Sequence, residues 1–206
     1  MAIINKKLIS LIIIWIIIVL LDYYYYFPYF IQPFIWFFTV LVLFILLIIQ
    51  VRKIIKERKK ISKSRILKFS TLLILFALTF YNFYKIPRKI IEKIDWITLQ
   101  NKRNEIVNEV KNGKLIRDNK LNNGIYKIPF EFPVLSNGGN EVWVFEEKNK
   151  KTVKFWISRG FFDSPQSYFI YTENPADIKS IDELIKKHPE NNWKIKENWY
   201  RVLETF

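Results

Sequence analysis

The sequence predicts a membrane protein with three transmembrane α-helices followed by a small α+β domain with an antiparallel sheet. Three observations carry this. Long apolar runs crowd the stretch before Lys85, nine basic residues and one acid fall together in residues 52–68, and beyond residue 113 the apolar spacing shortens from helical to alternating. The expected organisation is a membrane domain over 1–85, a stalk helix over 86–112 and an extracytoplasmic α+β domain over 113–206.

The first membrane segment starts after Lys6 and Lys7, and residues 8–21 contain no charge. At 1.5 Å per residue this apolar run covers roughly 21 Å, short of a ~30 Å hydrocarbon core. A span of about 8–27 therefore needs the tyrosines that follow Asp22, and aromatic rings favour the membrane–water interface. A cleaved signal peptide is excluded on this reading. It requires small residues where this chain continues with Asp22 and Tyr23 to Tyr26. The second span is expected at 34–51, entering after Pro33 and meeting its strongly polar residue, Gln50, only at the end. The third is expected at 66–84, closed by Tyr81, Phe83 and Tyr84. Asp22 reads as an interfacial carboxylate reaching water, with an interhelical contact to Ser70, Thr71, Thr79 or Asn82 as the alternative, of which Thr79 and Asn82 lie near its depth.

Orientation follows from basic residues. The turn at 27–33 has two prolines and no Lys or Arg, against nine in residues 52–68. Short basic loops stay in the cytoplasm during insertion. The expectation is an inner, plasma-membrane protein with its amino terminus and the 52–65 loop cytoplasmic and its carboxyl-terminal domain outside. Arg52, Lys53, Lys56, Arg58, Lys59, Lys60, Lys63 and Arg65 are then expected to meet anionic lipid headgroups, each contributing about 1 kcal/mol near the surface. The net charge of +14 has the same origin, since residues 95–206 carry only two more basic than acidic groups. Nucleic acid is not an expected partner.

The outer half begins with a stalk helix, on which Ile90, Ile94 and Ile97 share one face, with Ile106 and Val110 continuing an apolar stripe. Strands follow near 124–128, 141–147, 151–158, 167–172 and 193–203, and a short helix at 176–187 is closed by His188 and Pro189. The result is a sheet of four or five strands with helices packed on one face.

Chemistry is sparse. The chain has no cysteine and one histidine, His188, so thiolate chemistry is excluded and a histidine-based triad has only that residue to use. Gly138 and Gly139 form a turn rather than a phosphate loop. Glu146 and Glu147 are strand neighbours that point to opposite faces. No catalytic, metal-ligating or cofactor-binding residue is assigned, and no cofactor or enzymatic activity is expected. The candidate partner site is the strand connection 159–165, with Arg159, Phe161, Phe162 and Asp163, because loops on a rigid sheet carry binding residues. The expected function is a membrane-anchored, non-enzymatic protein of the bacterial envelope whose outer domain binds a protein or peptide. An immunity-like role is one form of it. The alternative is an accessory subunit of a membrane enzyme or transporter.

Overall fold

A computed structural model describes residues 6–24, 31–58, 60–80, 85–115, 124–137, 139–147, 149–159 and 165–204. The chain forms two compact units, Met1–Ile94 and Asp95–Phe206.

The first unit holds α1 (Lys6–Tyr23), α2 (Gln32–Lys56), α3 (Lys63–Thr79) and the start of α4 (Lys85–Lys111). Its core is Trp15 and Val19 of α1, Leu43 and Leu47 of α2, and Leu72 and Leu75 of α3, with Ile91 of α4 packed against them. Polar groups also point inward. Trp15 Nε1 donates to Thr79 Oγ1 at 2.8 Å, and Trp36 Nε1 donates to Asp22 at 2.8 Å beside a second donor, Gln32 Nε2. The outward faces are apolar, with Ile13, Ile17, Phe37, Phe38, Leu73 and Ile74 among the exposed residues. A bundle stable in water shows the reverse pattern.

This arrangement corrects the expectation of three transmembrane helices. Among the described residues one helix, Gln32–Lys56, is long and apolar enough to cross a membrane. Its 25 residues measure roughly 37 Å. The helix α1 has 18 residues, of which Lys6, Lys7 and Asp22 are charged, and its expected extension to residue 27 lies outside the described residues. The helix α3 has 17 residues, opens with Lys63, Arg65 and Lys68, and gives way to extended backbone at Phe80. Its last residue, Thr79, meets Trp15 midway along α1, about 10 Å short of Asp22 by helical rise. Asp22 is also corrected: it is a buried acceptor between α1 and α2.

The second unit is an α+β fold. Six antiparallel strands are ordered β1-β2-β3-β4-β6-β5: β1 (Ile125–Lys127), β2 (Glu141–Glu147), β3 (Lys150–Ser158), β4 (Gln166–Thr172), β5 (Trp193–Lys196) and β6 (Trp199–Glu204). Gly124 introduces β1 with φ +83°, and a Cβ there would lie 2.3 Å from the Val144 carbonyl oxygen, so only glycine fits. The single strand expected at 193–203 is a hairpin, because Asn198 takes φ 60° and turns the chain.

Helices cover both faces of this sheet, not one. Register puts Val142, Val153, Phe155, Phe169 and Trp199 on the side where Trp96 of α4 packs. The opposite side presents Trp156, Tyr168, Ile170, Tyr200 and Val202 to Ile178, Ile181 and Leu184 of α5 (Pro175–Lys187). In α4 the docked residues are Trp96, Leu99, Arg103, Val107 and Val110, all buried, whereas Ile97 is exposed. Ile97 and Ile106 are nine residues apart, half a turn out of phase, so the expected single stripe is two stripes on opposite faces.

Arg103 is the polar centre of that docking. The residue is 2% exposed, and its guanidinium donates to Asp95 Oδ2 at 2.6 Å and the Leu135 carbonyl at 3.0 Å, with Phe169 stacked beneath at 4.7 Å. A fragment of residues 85–206, which keeps α4 whole, should unfold cooperatively in water without detergent. Arg103→Met should lower its stability by about 3–5 kcal/mol, because the buried Asp95 carboxylate loses the guanidinium it faces. Adding Asp95→Leu should restore much of that loss. Urea titration reads all three proteins, and a single variant as stable as the parent would contradict the assignment.

Candidate binding surface

After β1 the chain runs through Ile128, Pro129, Phe130, Glu131, Phe132 and Pro133, and both ends of this run are fastened. On the near side Asn140 Nδ2 donates to the carbonyls of Ile128 (3.2 Å) and Pro129 (2.6 Å). On the far side Val134 and Leu135 are buried, Ser136 Oγ accepts from the Trp156 amide at 2.9 Å, and Asn137 Nδ2 donates to the Ile157 carbonyl at 2.8 Å. Proline at each end removes further backbone freedom. Between these anchors Phe130 and Phe132 are each 71% exposed, and Glu131 pairs with Lys102 of α4. Two large, mostly exposed apolar rings thus stand on a loop fastened at both ends, which makes this loop the candidate contact surface.

A second feature lies across the sheet, where α5 leaves part of β2 and β3 uncovered. The cleft has a volume of about 380 Å³, and its walls include Phe145, Thr152, Lys154, Ile170, Asp177 and Glu204. Its polar groups are engaged with one another. Thr152 and Thr172 share a 2.7 Å hydrogen bond and Thr152 donates to Asp177 at 2.5 Å. Lys154 pairs with Glu204 at 2.5 Å and lies 5.2–5.7 Å from the rings of Trp143, Phe145 and Tyr168. Asn174 caps α5 and donates to Glu147 at 3.2 Å. Desolvation, reinforced by Glu204, pushes the Tyr168 phenol up to about 12.

The residues named from sequence fare unevenly. Phe161, Phe162 and Asp163 lie outside the described residues. Arg159 is described: it pairs with Glu141 at 2.8 Å and covers the Trp156 ring at 4.8 Å, which fastens it to the sheet. In the basic segment Arg52, Lys53 and Lys56 occupy the last turns of α2, and with Arg58, Lys60 and Lys63 they are exposed. Lys59 is outside the described residues. Arg65 is held by the protein itself, donating to Glu57 at 2.5 Å and to Gln50 at 3.1 Å. His188 ends α5 on the surface beside Glu190. Phe130 and Phe132 were not singled out from sequence, although two phenylalanines between prolines, with no strand assigned to them, were the available signal.

No family model, curated protein or solved structure matches the chain.

The Tyr168 shift has a definite sign. A phenol raised from 10.0 to about 12 in the folded state favours folding fully below pH 10, and that contribution is lost as pH rises from 10 towards 12. Thermal unfolding of the 85–206 fragment should therefore fall across this window. Tyr168→Phe should flatten the fall, and an unchanged slope would place the titration elsewhere.

Proposed function

We propose that this chain is a membrane-anchored binding protein, held in the bilayer by its amino-terminal helical unit and contacting a protein or peptide partner through its carboxyl-terminal α+β unit. The observation that carries the proposal is the pair Phe130 and Phe132, 71% exposed on a loop fastened at both ends. Anchors of this kind, aromatic and already ordered, bind with little loss of conformational freedom. The charge between the rings is the compensated Glu131–Lys102 pair rather than a net cation, which favours a polypeptide over an anionic lipid surface. An immunity-like role, in which the bound partner is a toxin, is one form of this reading.

The apolar outward faces of the first unit and the length of α2 support the anchoring. Orientation rests on the basic segment, which stays cytoplasmic by charge. The helix α3 packs antiparallel to α2 and leads away from that segment, with Arg65 beside Gln50 and Phe76 beside Phe44. The carboxyl-terminal unit is extracytoplasmic on this reading.

A groove of about 340 Å³ between α1 and α2, walled by Leu11, Ile14, Ile18, Ile35, Phe38 and Val42, favours a second reading as an accessory subunit. Its walls suit a helix of a membrane partner.

A photoreactive residue at Phe130 or Phe132 should capture a defined polypeptide in intact cells, and Phe130→Ser with Phe132→Ser should abolish capture from a neighbouring position while leaving the fold unchanged. Capture only from Phe38 would favour the subunit reading, and lipid adducts at Phe130 would defeat the first. For orientation, a reporter active only outside the cytoplasm should be active when fused after Phe206. Activity from a cytoplasm-only reporter would reverse the assignment.

A further inference from the structure

The first half of α4 has an outward face that neither the core of the first unit nor the partner-binding reading uses. Ile86, Ile90 and Ile94 recur every four residues and are 46%, 55% and 57% exposed. That spacing stacks them in one stripe along three turns. The same turns direct Pro87 and Ile91 inward, Ile91 against the cluster that contains Trp15 and Leu43. Lys85, Lys89 and Lys93 are exposed beside the stripe. An apolar stripe edged by lysines, whose stems lie along apolar surface while the ammonium groups stay solvated, has the composition of a helix lying in a membrane interface.

We propose that this face of α4 rests in the headgroup region of an anionic bilayer, with Ile86, Ile90 and Ile94 entering the acyl boundary and the three lysines meeting lipid phosphates. Two observations favour lipid over a second protein. The face is continuous along the chain with a unit whose outward surfaces are apolar on α1, α2 and α3 alike, and lipid is the one medium that covers all of them together. The flanking charge is positive on successive turns, which complements anionic lipid and would repel a second copy of the same face. The inference rests on the reading that the helical unit sits in lipid, and it adds that the chain leaves that unit along the membrane surface.

The chain has no cysteine, so single cysteines can be introduced without background. The full chain carrying Ile86→Cys, Ile90→Cys or Ile94→Cys is labelled with an environment-sensitive fluorophore and reconstituted in phosphatidylcholine–phosphatidylglycerol vesicles. Lys89→Cys and Lys93→Cys give the helical-phase controls, and Ile74→Cys reports the outward face of α3. Labels at 86, 90 and 94 should be quenched several-fold more by lipid-borne nitroxide than by aqueous iodide, with the preference reversed at 89 and 93. Iodide quenching at 86, 90 and 94, or shielding from both quenchers, with lipid quenching retained at 74, would overturn the proposal alone. Loss of lipid quenching at 74 as well would overturn the anchoring reading beneath it.

Discussion

The carboxyl-terminal unit is arranged around one buried cation. Removing a guanidinium from water costs several kcal/mol even after relaxation, so Arg103 is tolerated only where every direction it faces is answered. Asp95 neutralises it from two turns earlier in the same helix, the Leu135 carbonyl accepts a second hydrogen bond, and the Phe169 ring closes the remaining side. Each partner belongs to a different part of the unit. Satisfying one side chain therefore sets the rotation of α4, its seating on β4 and the position of the segment behind the exposed phenylalanines. Trp96 between Phe169 and Trp199, and Trp199 Nε1 donating to Asn104 at 3.0 Å, extend the same alignment along the helix.

The two units distribute polar and apolar side chains in opposite ways. In the second, apolar side chains fill both sides of a sheet and most charge lies outside, the Arg103–Asp95 pair being buried, as suits folding in water. In the first, hydrogen-bonding groups pair between the helices: Asp22 with Gln32 and Trp36, Trp15 with Thr79, and, partly exposed at the α2–α3 turn, Gln50 with Arg65 and Glu57. Isoleucine, leucine and phenylalanine form the outside. Interhelical hydrogen bonds of this kind suit a medium that offers no competing water. The Arg65–Glu57 pair fastens the α2–α3 turn, while Arg52, Lys53, Lys56, Arg58, Lys60 and Lys63 stay exposed.

Much of the second unit was legible in the sequence because strand alternation is a strong, local signal. Val142 and Val144 against Trp143 and Phe145, and Val153 and Phe155 against Lys154 and Trp156, fall on the faces that their alternation assigns. The Asn149 turn between β2 and β3 adopts φ 62° as a tight hairpin requires. Facts that depend on partners were not legible. Which stripe of α4 is buried depends on Arg103 finding Leu135 and Phe169, both far away in sequence. Helix bounds in the first unit were misjudged, α2 running over Gln32–Lys56 against the expected 34–51 and α3 giving way at Phe80, because apolar composition does not mark where a helix starts or stops. Asp22 read as a water-facing carboxylate because its donors, Gln32 and Trp36, lie across a turn. The exposed loop was missed because the exposure of Phe130 and Phe132 is decided by tertiary packing and not by local sequence.

The central claim is that the amino-terminal unit holds the chain in lipid while the α+β unit is an independent body in water. Alkaline carbonate extraction of cell membranes tests it most directly, since it strips peripheral proteins and leaves embedded ones in place. The full chain should remain in the membrane pellet, and residues 85–206 expressed alone should appear folded in the supernatant. Release of the full chain by carbonate would show that the apolar faces of α1, α2 and α3 are covered by protein rather than lipid, and would contradict the account.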